Sequence, residues 1–268
     1  MNAAQRLEER LRATRRAGRA ALLPYLVAGY PRRAGFGELL VRVAARAEVV
    51  ELGLPFSDPT ADGPVIAAAG QRALEDGVHL GWLLAEVARV RARVRAELVL
   101  MSYLNPLLAF GPAHASAALA EAGFAGWIVP DLPLEEGAEL RALAEVHGLA
   151  SIQLVTPLTP TARVAELARA SLGFLYAVTR SGTTGAVAPA DVVARYLREL
   201  ASISPVPVCA GFGLRAPEQL AHLAGSCDGY VVGTALVECL AAERDPLALL
   251  DALRAATLLP PVSTEVLR

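Results

Sequence analysis

Two hydrophobic periods alternate along this chain. Eight short runs, at 21–28, 47–53, 98–103, 126–129, 150–155, 173–178, 206–210 and 229–232, are almost unbroken Val, Ile, Leu and Ala. Continuous apolar runs of that length are the signature of strands buried on both faces, as in a parallel sheet. Helical periodicity follows each run: at 36–46, at 64–76 and 80–95 with a break at Gly77, and at 112–122, 134–147, 160–170, 190–201, 217–224 and 235–255. An amphipathic segment at 2–17 precedes the first strand and suits a helix that plugs the bottom of a barrel. The strand ends are punctuated alike, for example by Gly29-Tyr30-Pro31, Asn105-Pro106, Pro130-Asp131 and Gly211-Phe212-Gly213. Eight βα units predict an α/β fold, a (β/α)8 TIM barrel with an extra N-terminal helix, as a single domain over 1–268. The competing fold, an open doubly wound sheet, would lead one to expect GxGxxG after the first strand, and none is there.

One strand breaks the apolar rule. Glu51 sits inside the second run, where a carboxylate is costly to bury unless something pairs or uses it. The following loop, Leu-Pro-Phe-Ser-Asp-Pro-Thr-Ala-Asp-Gly-Pro, carries Asp58 and Asp62. In parallel α/β folds the polar loop after a strand is where chemistry sits. A carboxylate on rigid strand and another on loop are the raw material of acid–base catalysis. Structural alternatives stand beside this reading. Glu51 could pair with an arginine, Asp62 could cap the helix opening at Pro64, and Asp58, before Pro59, fits a turn or supporting role.

Composition narrows the chemistry. The chain has 268 residues, 54% hydrophobic but only 5% aromatic, so its core is built from Ala, Val and Leu. A net charge of −2 gives no reason to expect a nucleic-acid partner. All 25 basic residues are arginine, which excludes a Schiff-base, P-loop or pyridoxal-phosphate lysine. Three cysteines, Cys209, Cys227 and Cys239, without CxxC spacing, read as reduced buried thiols of a cytoplasmic protein. No secretory signal core follows the arginine-rich N-terminus, and no apolar run reaches the ~18 residues needed to cross a membrane.

Glycines cluster after the sixth, seventh and eighth strands: Gly182, Gly185, Gly211, Gly213 and Gly233. Each alone makes a tight turn; three such loops at adjacent barrel strand ends point to phosphate held by backbone N–H groups. Arg180 could bind the phosphate or brace the 182–185 loop through Asp58 or Asp62. His79, His114, His147 and His222 fall on helices or lower loops, and no spacing suggests a metal site. There is no GxSxG elbow.

The segments at 24–31 (Pro-Tyr-Leu-Val-Ala-Gly-Tyr-Pro), 51–64, 129–133 (Val-Pro-Asp-Leu-Pro), 181–185 (Ser-Gly-Thr-Thr-Gly) and 211–214 (Gly-Phe-Gly-Leu) resemble the tryptophan synthase alpha subunit family. The likeness runs from about residue 5 to 255, and the 51–64 stretch is its specific part. The resemblance implies retro-aldol cleavage of indole-3-glycerol phosphate to indole and glyceraldehyde 3-phosphate. It implies no metal or organic cofactor, and a pyridoxal-phosphate beta subunit as partner in an alpha2beta2 complex. By position, Glu51 resembles the family's acid–base glutamate and Asp62 the aspartate that holds the indole N–H. Tyr176 resembles its active-site tyrosine and Thr184 the threonine of its closing loop. Gly185, Gly213, Gly233 and Thr234 fall where the family cradles phosphate, and Tyr103 and Phe212 on its indole and phosphate walls.

The chain departs from the family after Gly185. Ala-Val-Ala-Pro is short and uncharged, and Thr183 stands where valine is more usual. That departure keeps open a stand-alone indole-releasing lyase of a specialised pathway. A silent barrel that only activates a partner is disfavoured by the intact Glu51 and Asp62. Barrels with lysine-dependent sites are disfavoured by the absence of lysine.

Overall fold

The computed structural model describes residues 1–179, 189–211 and 213–259. Eight parallel strands close into a barrel in sequence order: β1 (Ala21–Val27), β2 (Val49–Gly53), β3 (Glu97–Met101), β4 (Gly126–Ile128), β5 (Ala150–Val155), β6 (Leu175–Val178), β7 (Val208–Gly211) and β8 (Gly229–Val232). Closure is made by β1 and β8, with Ala21 opposite Gly229. Every residue of β1, β2 and β3 is buried, as the unbroken apolar runs require.

The helices form the outer layer: α1 (Ala3–Arg16), α2 (Phe36–Ala44), α3 (Pro64–Glu75), α4 (Leu80–Val90), α5 (Leu104–Phe110), α6 (Pro112–Ala122), α7 (Ala138–Val146), α8 (Thr161–Ala170), α9 (Ala190–Ile203), α10 (Pro217–His222), α11 (Thr234–Ala241) and α12 (Pro246–Ala255). Among the described residues no helix is long and apolar enough to cross a membrane.

The helix α1 seals the N-terminal end of the barrel. A capping box starts it: Asn2 Oδ1 accepts the Gln5 amide at 2.9 Å, and Gln5 Oε1 accepts the Asn2 amide at 3.0 Å. Leu7 and Leu11 are fully buried beneath it. Its arginines donate to carbonyls of the loops that lead into the strands: Arg12 to Pro205 at 2.7 Å and Arg15 to Cys227 at 2.6 Å. The opposite end stays open for chemistry.

Helical boundaries differ from the sequence reading in several places; α4, expected to run to 95, ends at Val90 and gives way to a 3-10 turn over Arg91–Arg93. The short helix α5 was not expected, because Asn105-Pro106 reads as the end of a strand. Its first amide, on Leu104, is instead capped by the Asp131 carboxylate at 3.0 Å, a contact from the next βα loop. The segment expected as helix from 134 is a turn until Ala138, closed by the Gly137 amide on the Pro133 carbonyl at 3.0 Å. The last expected helix, 235–255, is two. Glu243 takes a positive φ of 52° between them, and Asp245 caps a new helix whose first residue is Pro246.

Candidate active site

A cavity opens at the C-terminal ends of the strands, the end where barrels of this kind carry their chemistry. Glu51, Asp62, Tyr176, Gly213, Gly233 and Thr234 line it, as do Tyr25, Ile66, Met101, Leu214 and Val231. Residues from five strands and three loops thus converge on one space.

Glu51 is 1% exposed, and neither carboxylate oxygen has a hydrogen-bond partner. Its isolation is specific. Glu48, just before the same strand, is also buried but meets Arg19 at 2.7 Å and accepts the Leu22 amide at 2.8 Å. Glu97, at the start of β3, has Arg6 at 3.7 Å. Those two are structural carboxylates at the closed end. The arginine-paired alternative therefore describes Glu48 and Glu97, not Glu51. Burial, and then the charge of Asp62, push the Glu51 carboxyl up to about 8.

Asp62 is half-buried on the loop after β2. It does not cap α3: the capping position is Gly63, with Pro64 opening the helix. Its hydrogen-bond partner is Tyr103, whose hydroxyl also accepts the Ala61 amide at 2.9 Å. Burial raises the Asp62 carboxyl to about 6, with the Tyr103 hydrogen bond pulling the other way. The two carboxyls therefore differ in their titration, which is the arrangement an acid–base pair needs.

Tyr103 is buried at the residue preceding α5, with the Phe56 ring tilted against it at 5.3 Å. Tyr176 is buried on β6, and its hydroxyl leans over Gly211 so closely that any side chain there would collide with it. Burial and the Glu51 charge keep the Tyr176 phenol protonated.

One side of the cavity is built from backbone. Gly213 has φ of 96°, a conformation open to glycine, and lines the wall. Gly233 caps α11, whose first residue is Thr234, so the positive end of that helix meets the cavity. The opposite wall, Ile66 and Met101, is apolar.

Asp58 is exposed and accepts the Ser57 hydroxyl, outside the cavity. Its expected partner Arg180 lies outside the described residues, as do Thr184, Gly185 and Phe212. Tyr25 is the polar cavity residue that sequence reasoning missed. In the run Ala-Leu-Leu-Pro-Tyr-Leu-Val it looks like an ordinary core aromatic; alternation along the strand was the signal available.

A family model described as "Tryptophan synthase alpha chain" matches residues 11–256. The tryptophan synthase alpha chain of Nitratidesulfovibrio vulgaris is 46% identical over 255 residues, covering 93% of this chain and 98% of that one. That of Chloroflexus aurantiacus is 45% identical over 242 residues, covering 88% and 90%. A solved structure of Mycobacterium tuberculosis tryptophan synthase superposes with a TM-score of 0.87 at 35% identity, covering 95% of this chain and 98% of that one. The alpha subunit from Legionella pneumophila superposes at 0.86 with 33% identity, covering 96% and 98%.

Proposed function

The chain belongs to the tryptophan synthase alpha chain family, and from that premise we propose that its cleavage of indole-3-glycerol phosphate, to indole and glyceraldehyde 3-phosphate, runs on Glu51 and Asp62. The observation that carries this reading is the Glu51 carboxyl, buried without a hydrogen-bond partner and facing the cavity it shares with Asp62.

Retro-aldol cleavage needs a sink for the electrons of the breaking C–C bond. This chain has no lysine to form an iminium, so the indole ring serves. Glu51, protonated near neutral pH, delivers its proton to indole C3. The ring becomes an indoleninium cation, and Asp62 accepts the N1–H hydrogen bond and stabilises the charge. Glu51, now a carboxylate, takes the proton of the hydroxyl on the carbon attached to the ring. The O–H electrons form the aldehyde C=O, the C–C bond breaks, and its pair restores the neutral indole. The proton count closes, since Glu51 ends as it began.

The phosphate sits against Gly213, Gly233 and Thr234; the family's motif adds Thr184 and Gly185 to its binding. The indole lies on the apolar wall, with Tyr103 and Tyr176 around it. No step requires a metal or an organic cofactor. The chain acts as one domain in the cytoplasm, beside a pyridoxal-phosphate beta subunit in an alpha2beta2 complex. An apolar groove next to the cavity mouth, lined by Leu54, Pro55, Phe56, Pro106 and Phe110, supports docking of that partner. Indole release from indole-3-glycerol phosphate, with and without a beta subunit, tests this reading. A slow rate alone that rises strongly with the partner is expected; no indole in either case would overturn it.

A further inference from the structure

Tyr25 has no part in the steps above, yet it stands among the groups that perform them. It lies on β1 directly in register with Glu51 on β2. Its side chain crosses to β2 and ends at Gly53, where a Cβ would collide with its hydroxyl. Gly53 follows Glu51 by two residues, on the same face and one step nearer the open end of the barrel. The Tyr25 hydroxyl therefore occupies the level just above the Glu51 carboxyl, where a side chain at 53 would otherwise be. The other flank of the ring rests on Gly233, whose Cβ would come to 3.2 Å of the ring. Tyr25 thus spans from the acid–base pair to the backbone-built side of the cavity, and it lines that cavity. Burial, Asp62 and Glu51 all hold the phenol in its protonated, donor form. No hydrogen bond contributes to that shift.

We propose that the Tyr25 hydroxyl donates a hydrogen bond to the substrate hydroxyl on the ring-attached carbon, turning that hydroxyl's own proton toward Glu51. The inference rests on the reading of Glu51 as the group that takes this proton. A hydroxyl offers one donor and two lone pairs. With two carboxyls nearby, its proton has a choice of acceptors, and only the orientation toward Glu51 leads to cleavage. A fixed donor on one lone pair removes that choice. The same donor serves the product, because the oxygen it holds becomes the aldehyde carbonyl as its proton leaves. Tyr25 then also selects substrates that carry this hydroxyl in the matching configuration.

Two measurements on Tyr25→Phe, which keeps the ring, test this. In the active enzyme, kcat should fall about tenfold. In the inactive Glu51→Gln background, Tyr25→Phe should weaken binding of indole-3-glycerol phosphate roughly fivefold, the worth of one neutral hydrogen bond. It should leave unchanged the binding of the deoxy analogue, an indol-3-ylpropyl phosphate. Equal loss of affinity for both ligands would assign Tyr25 to packing and overturn the proposal, as would a Tyr25→Phe enzyme with wild-type kcat. A Glu51→Gln enzyme with wild-type turnover would instead overturn the reading of Glu51, and this inference with it.

Discussion

The Tyr103 hydroxyl accepts the backbone N–H of Ala61 at 2.9 Å. One hydroxyl thereby fixes the loop and, through its own proton, the Asp62 carboxylate beside it. Tyr103→Phe removes both contacts at once. The Asp62 carboxyl loses a hydrogen bond that lowers its pKa, so the acid limb of the rate profile should move to higher pH. We expect kcat/KM near pH 7 to fall about tenfold. An acid limb that does not move would show that Tyr103 does not hold Asp62.

The pH dependence of the wild-type enzyme follows from the pair. Asp62 must be ionised, and its carboxyl is raised to about 6. Glu51 must be protonated, and its carboxyl is raised to about 8. Hence kcat/KM should rise as pH passes about 6 and fall as it passes about 8. Because each charge affects the other, the two limbs belong to the pair rather than to single residues. A profile flat from pH 5 to 9 would contradict the assignment.

Much of this was legible in the sequence, for physical reasons. Parallel strands buried on both faces are continuous apolar runs, so all eight could be found. Glu51 stood out because it interrupts one of them. The short helix α5 could not be read, since its cap, Asp131, comes from another loop. The split before α12 was readable in Asp245-Pro246 but was hidden by apolar periodicity on both sides. Tyr25 could not be singled out, because its role depends on strand register and on the space left by Gly53, a relation between two elements.

Glu51 should also cost stability. Its carboxyl binds a proton more tightly in the folded chain, at about 8, than at its ordinary 4.5. Between those values the native state holds more proton than the unfolded state, so stability falls as pH rises through that window. Glu51→Gln removes the ionisable group and keeps the shape. The variant should melt higher than wild type, by roughly 5 °C more at pH 9 than at pH 5. Equal shifts at both pH values would show that Glu51 is not strained by ionisation.

Gly53→Ala tests the close approach of β1 and β2. The new Cβ would meet the Tyr25 hydroxyl and ring. Overpacking of this kind costs about 1–3 kcal/mol, and the melting temperature should drop by a few degrees. Adding Tyr25→Leu should restore melting but not activity. A fully active Gly53→Ala enzyme would show that Tyr25 can move without consequence.

Indole release by the purified chain and by its Glu51→Gln variant is the most direct test of the account. Wild type should convert indole-3-glycerol phosphate to indole and glyceraldehyde 3-phosphate. Glu51→Gln should bind the substrate yet turn it over about 10²–10⁴ times more slowly, the usual worth of a general acid–base group. A variant as fast as wild type would place the proton transfer on another residue and contradict the mechanism.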